Sequence, residues 1–216
     1  MSIADNLSEI KKHLPQGVRL TAVSKFHSDE TILEAYNAGQ RTFGESRVQE
    51  LLGKYDRLPK DIEWHFIGHL QTNKVKYVAP FIYMIQSVDS LKLLEEINKQ
   101  AGLFSRRIPV LLQIHIAQEE QKFGFDKDAS YTDFSTNYAN VRFCGLMGMA
   151  TFTGDTTQID SEFEGLAELF RQLKSTCFAN NADFNELSMG MSDDYPIAIE
   201  KGSTMVRIGS RLFGSR

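Results

Sequence analysis

Short β-rich runs alternate with amphipathic helical stretches along nearly the whole chain, and that alternation predicts the fold before any single residue is considered. The first run is VRLTAVS at 18–24. Ser28 then stands as a helix N-cap, Asp29 and Glu30 suit the positive end of a helix, and Gly39 offers its stop. RTFG at 41–44 precedes a helical SRVQELLGKY, and EWHFIG at 63–68 precedes LQTNKVKYV. FIYMIQS at 81–87 leads to Asp89 as the N-cap of a stripe through Leu94, Ile97 and Ala101. PVLLQIHI at 109–116 is nearly continuously apolar, as expected of a strand covered on both faces, and a looser helical segment follows around 128–139. VRFCGLMGM at 141–149 comes before a clear stripe of Ile159, Phe163, Leu166, Phe170 and Leu173. FNELSM at 184–189 precedes DYPIAIEKG, and TMVRIG at 204–209 precedes a short SRLFG.

These are eight strand-then-helix units in 216 residues, with no Pro-rich, Ser-rich or charge-run linker between them, so one continuous domain over residues 1–216 is expected. Eight right-handed parallel crossovers close most compactly as a single (β/α)8 TIM-type barrel. An open doubly wound sheet is the alternative, and the short length favours the barrel.

Composition changes this picture little and narrows the function. With 42% hydrophobic and 24% charged residues the chain is an ordinary globular one. A net charge of −4 and a pI near 5.8 leave no electrostatic footprint for nucleic acid or an anionic membrane surface, which directs attention to small molecules. The N-terminal MSIADNLSEIKKHLPQG lacks a basic segment followed by an apolar run, and no stretch reaches the roughly eighteen apolar residues of a membrane span, so a cytoplasmic protein is expected. Cys144 and Cys177 form no CxxC pair and read as two free thiols, with neither a disulfide nor a metal site.

In such a barrel the chemistry sits at the C-terminal ends of the strands. Lys25 terminates the first run, where its stem rises into the mouth; an amine there, partly desolvated, can attack an aldehyde to form an imine. By position alone it reads equally as a solvated lysine at a loop start. The loops after the last two runs, SMGMSDD at 188–194 and RIGSRLFG at 207–214, offer the hydroxyls of Ser188, Ser192 and Ser210 and the close backbone approach of Gly190 and Gly209. That set suits a phosphate dianion, although two Gly/Ser turns would look the same. Arg207 can face a ring nitrogen that stays unprotonated, since arginine only donates; otherwise it is an interior arginine paired with Glu45 or another carboxylate. His65 and His69 stand four apart, a ligand spacing on a helix, but they fall in a strand and turn, which speaks against a metal. His115 alternates with Gln113 and reads as a satisfied core histidine. Met147, Met149, Met189 and Met191 read as a mixture of core packing and a wall for an aromatic ring.

Six segments carry a resemblance: TAVSK at 21–25, FGESRVQE at 43–50, WHFIGHLQTNKVK at 64–76, QEEQKFGF at 118–125, GLMGMA at 145–150 and LSMGMSDDYPIAIEKGSTMVRIGSRLFGSR at 187–216. In this order they resemble the pyridoxal phosphate homeostasis protein family, which is similar in fold to the barrel domain of alanine racemase. The resemblance implies pyridoxal 5′-phosphate held as a Schiff base on Lys25. It implies a phosphate site around Ser188, Met189, Ser192, Gly209 and Ser210, with Arg207 at the pyridine nitrogen and Ser46 and Met149 in the pocket. An arginine at that nitrogen weakens the ring as an electron sink, which fits storage and carriage better than turnover. Three positions depart from the family's pattern: Ser46 where asparagine is frequent, FHSDE after Lys25 in place of threonine, lysine, proline, and His115 where asparagine is usual. These concern the pocket rim, not the imine.

The competing function is a pyridoxal-phosphate-dependent amino acid racemase. Related enzymes supply its second base as a tyrosine from a separate C-terminal β domain; this sequence ends seven residues after Gly209, so that domain is not expected. The expected partners are the cofactor and the apo-enzymes that receive it, and the resemblance implies a monomer.

Overall fold

Every predicted run forms a strand, and the eight strands close on themselves. The computed structural model describes residues 2–119, 123–132 and 134–214. Its strands are β1 (Arg19–Val23), β2 (Thr42–Glu45), β3 (Glu63–Phe66), β4 (Met84–Val88), β5 (Ile108–Gln113), β6 (Val141–Met147), β7 (Glu186–Ser188) and β8 (Met205–Ile208). All are parallel, each pairs with the next, and β8 returns to β1 with Arg19 to Ala22 registered against Met205 to Ile208. That last pairing rules out an open sheet.

The helices are α1 (Ile3–His13), α2 (Asp29–Asn37), α3 (Val48–Arg57), α4 (Val75–Val78, after a 3₁₀ turn at Thr72–Lys74), α5 (Leu91–Leu103), α6 (Phe134–Asn137), α7 (Thr156–Ser175), α8 (Tyr195–Glu200) and α9 (Ser210–Phe213). Between them and the sheet lies the main core, with Phe43, Trp64, Phe66, Phe163 and Phe184 fully buried. The barrel interior holds a smaller cluster of Met84, Leu111, Cys144, Met147 and Met205. Residues of β4 and β5 are buried along their whole length, which is why these runs lack polar alternation.

Local details differ from the expectation in three places. The N-terminal segment forms α1, opened by a capping box between Ser2 and Asp5, and its Leu7 and Ile10 are buried. Asn6 donates to the Leu212 carbonyl at 3.0 Å, so this helix braces α9 at the far end of the chain. The N-cap of α5 is Ser90, whose hydroxyl accepts from Leu93 N–H at 3.4 Å, while Asp89 instead meets His69 Nδ1 at 2.7 Å. The fifth helix shrinks to the single turn of α6. Its Asp-, Ser-, Thr- and Asn-rich sequence competes for its own backbone groups, and the segment is held by Tyr131, Phe134 and Tyr138 edge-packed on Phe125 and Phe143. Cys144 and Cys177 are free thiols, the first buried. No helix among the described residues is long and apolar enough to cross a membrane, and no His, Cys, Asp or Glu cluster among them suits a metal ion.

Candidate functional site

The registers of β1 with β2 and β8 decide what meets at the mouth of the barrel. Ala22 lies beside Ile208 and Val23 beside Gly44, so the chain just beyond β1 faces the chain just beyond β8. There a cavity of about 490 Å³ opens, lined by Lys25, Ser46, Met149, Ser192, Arg207, Gly209 and Ser210 among others. Ser46 can approach because Gly68 has no side chain: a Cβ there would lie 2.7 Å from Ser46 Cβ. Of the sequence-predicted phosphate-site residues, Ser188, Met189 and Gly190 do not line this cavity; all three are buried. The methionines divide, with Met149 and Met191 on the cavity wall and Met147 and Met189 in the core. His27, Ile67 and Asp193 also face the cavity. Sequence reasoning missed them because loop residues carry no periodic signal.

Ser188 is occupied elsewhere. Its hydroxyl donates to Gln86 Oε1 at 2.7 Å and accepts from Arg207 Nη1 at 2.7 Å, while Arg207 Nη2 donates to the Gly148 carbonyl at 2.9 Å. Gln86 Nε2 lies 2.7 Å from His65 Nδ1, which completes a buried chain from the cavity floor into the barrel. Arg207 donates to Ser188, Ser188 donates to Gln86 Oε1, and Gln86 Nε2, an amide nitrogen that can only donate, points at His65. His65 Nδ1 is therefore the acceptor, and the imidazole is neutral. Burial drives its pKa down to about 3. The alternative in which Arg207 pairs with Glu45 does not hold, since Glu45 bonds Ser24 and Lys54. Burial also lowers the Arg207 pKa to about 10, which leaves it a cation at neutral pH. A sequence signal for Gln86 existed: it is the one amide in the apolar run FIYMIQS.

The state of His65 has a measurable consequence. Unfolded, it titrates near its ordinary 6.5; folded, near 3. Between these values the unfolded chain binds more protons, so the stability is complete above pH 6.5 and declines as pH falls toward 3. Lowering the pH from 6.5 to 5 is expected to cost about 2 kcal/mol through this residue alone. Urea unfolding of His65→Gln should show a shallower acid loss than the parent; an identical slope refutes the assignment.

Phe26, next to Lys25, has φ 67°, a left-handed conformation that a bulky side chain rarely adopts. Glu50 Oε1 accepts from the Phe26 N–H, and the Arg47 guanidinium stands 4.6 Å from the centre of its ring. On the other side of Lys25, the Ser24 carbonyl accepts from Lys54 Nζ at 2.8 Å. The turn that presents the amine is thus held from both ends.

The family model for the alanine racemase N-terminal domain matches residues 1–216. The pyridoxal phosphate homeostasis protein of Aquifex aeolicus is 40% identical over 201 residues, 92% of this chain and 87% of its own. The chain belongs to the pyridoxal phosphate homeostasis protein family. Among solved structures of this kind, PipY of Synechococcus elongatus PCC7942, determined with PLP bound, superposes with a TM-score of 0.88 at 35% identity, covering 98% of this chain and 100% of that one. Alanine racemase of Clostridium difficile 630 superposes at 0.80 with 12% identity over 57% of its length, a likeness of fold alone. The family's segment at 118–125 falls partly outside the described residues, at Glu120, Gln121 and Lys122, as do the terminal Ser215 and Arg216.

Proposed function

We propose that this protein binds pyridoxal 5′-phosphate through Lys25 and serves in the homeostasis and carriage of that cofactor. The observation that carries the reading is the convergence of Lys25 and Arg207, from the ends of paired strands, on one cavity with Ser192, Gly209 and Ser210. The donor set fits three of the molecule's polar groups. The Lys25 amine suits its aldehyde, the always-donating Arg207 its ring nitrogen, and the hydroxyls of Ser192 and Ser210 its phosphate. A side chain at position 209 would crowd this floor, since a Cβ there would stand 3.2 Å from the Val23 carbonyl oxygen. Ser192 Oγ already lies 3.4 Å from Gly209 N–H, so the two loops form one cradle. Ser188 contributes by holding Arg207, and Met189 by packing behind the loop.

When bound, the cofactor supplies an electron sink, and the surroundings given by this chain weaken it. Arg207 can only donate, so a ring nitrogen held against it would stay unprotonated. None of the seven tyrosines lines the cavity, which favours holding over racemisation, because proton exchange on both faces needs a second acid–base group. On this reading residues 1–216 are one functional domain, working as a monomer in the cytoplasm and delivering cofactor to apo-enzymes.

Borohydride reduction of the protein incubated with pyridoxal 5′-phosphate, followed by peptide mass mapping, tests the tether. The reduced adduct is expected on the peptide that contains Lys25. An adduct only on other lysines, or none, overturns the assignment.

A further inference from the structure

Beneath the turn that carries Lys25 lies a buried ion cluster that does not line the cofactor-sized cavity. Lys54, on α3, is almost wholly buried, and its Nζ is 2.8 Å from Glu45 Oε1, 2.7 Å from Glu50 Oε1 and 2.8 Å from the Ser24 carbonyl oxygen. Glu45, at the end of β2, is fully buried and also accepts from Ser24 Oγ at 2.6 Å. Glu50 sits one helical turn before Lys54 and accepts from Phe26 N–H. The cluster therefore grips the carbonyl before Lys25 and the amide after it. Burying the charges of Lys54 and Glu45, with Glu50 only partly covered, is costly, and burial pushes the Glu45 carboxyl pKa up against the pull of Lys54. Among the described residues, one Glu45 oxygen has no hydrogen-bond partner. An arrangement this expensive, spent on one loop with a left-handed phenylalanine, points to what the loop presents.

We propose that Lys54 is a positioning residue: together with Glu45 and Glu50 it fixes the backbone on both sides of Lys25 and aims the amine into the cavity. The inference rests on the reading of Lys25 as the cofactor's tether. It is separable from that reading because the brace acts on the backbone whether or not cofactor is bound. Without the brace, Phe26 is expected to relax to a negative φ, which would rotate the peptide that follows Lys25 and widen the range of positions its amine visits. Misplacement of a reacting group by about 1 Å can cost on the order of a hundredfold in rate.

The test uses the full chain with three changes: Glu50→Gln, Lys54→Met, and Lys54→Met combined with Glu45→Gln, which removes the charge left unpaired by the single change. A core substitution on α5, Ile97→Ala, serves as the control for lost stability. In cofactor-free protein, amide hydrogen exchange at Phe26 and the pH profile of Lys25 reductive methylation are measured, and with pyridoxal 5′-phosphate the rate of imine formation. Faster exchange at Phe26, an altered methylation profile and imine formation slowed about 10- to 100-fold are expected in Glu50→Gln and the double variant, but not in Ile97→Ala. If Lys54→Met alone does not fold, the other two carry the comparison. Wild-type exchange at Phe26 with an unchanged imine rate in both overturns the proposal, as does an equal slowing in Ile97→Ala. If the parent forms no imine, the tether reading fails, and the exchange and methylation measurements still decide whether the brace exists.

Discussion

Replacing Lys25 by alanine is expected to abolish the imine absorption band while leaving the cofactor-free protein folded. The side chain is half-buried on a cavity wall, and the Ser24 carbonyl and the Phe26 amide grip the backbone of this turn. Loss of the side chain leaves that backbone grip in place. Binding behaves differently. A ligand at a hundredfold excess over its Kd stabilises the native state by about 2.7 kcal/mol, so the parent should melt higher with pyridoxal 5′-phosphate present. In the variant Arg207, Ser192 and Ser210 still face the cavity, and a weaker, non-covalent complex with a smaller melting shift is expected. Absorption spectra and thermal melts with and without cofactor distinguish the cases; a band that survives in the variant, with an unchanged melting shift, sinks the tether.

The second large effect is structural. Gly145 lies in β6 with φ 149°, next to a register shift between β5 and β6, and pairs with Glu186 of β7. A Cβ at this position would stand 1.8 Å from the Glu186 carbonyl oxygen and 2.7 Å from its carbonyl carbon. Neither atom belongs to a flexible side chain, so relief requires the two strands to part. That would break the pairs of Leu146 with Leu187 and Met147 with Ser188, and would shift Ser188 away from Arg207. Gly145→Ala is therefore expected to cost at least about 4 kcal/mol, a large share of the 5–15 kcal/mol typical of a domain, and to yield mostly insoluble protein. Urea unfolding of whatever soluble fraction remains measures it. A loss below about 1 kcal/mol would mean that the strands can separate here without penalty.

The candidate site shows where legibility along the chain stops. Lys25, Ser46, Met149, Ser192, Arg207, Gly209 and Ser210 all stand at the ends of recognisable runs, and the fold brings them to one cavity. Ser188 was equally well placed in sequence, yet its hydroxyl turns to Gln86, 102 residues earlier in the chain, and to Arg207. Lys54 reads as one more lysine on the polar face of a helix. Its burial against Glu45 and the Ser24 carbonyl appears only once α3 is laid over the ends of β1 and β2. Asp89 was read as the cap of α5, but the cap is Ser90, and Asp89 meets the imidazole of His69 instead.

What the sequence determined by itself was the succession of strands and helices, the family, and the strand ends at which chemistry could sit. Periodicity of two and of 3.6 is a local property, written by burial on one face or both. Only the tertiary structure decided which polar groups satisfy one another. Closure of the barrel through β1 and β8 brings together side chains more than a hundred residues apart, and a hydroxyl, an amide or an ammonium takes whichever partner is left within about 3 Å. Lys25 could be found by reading the chain; the brace that holds it could not.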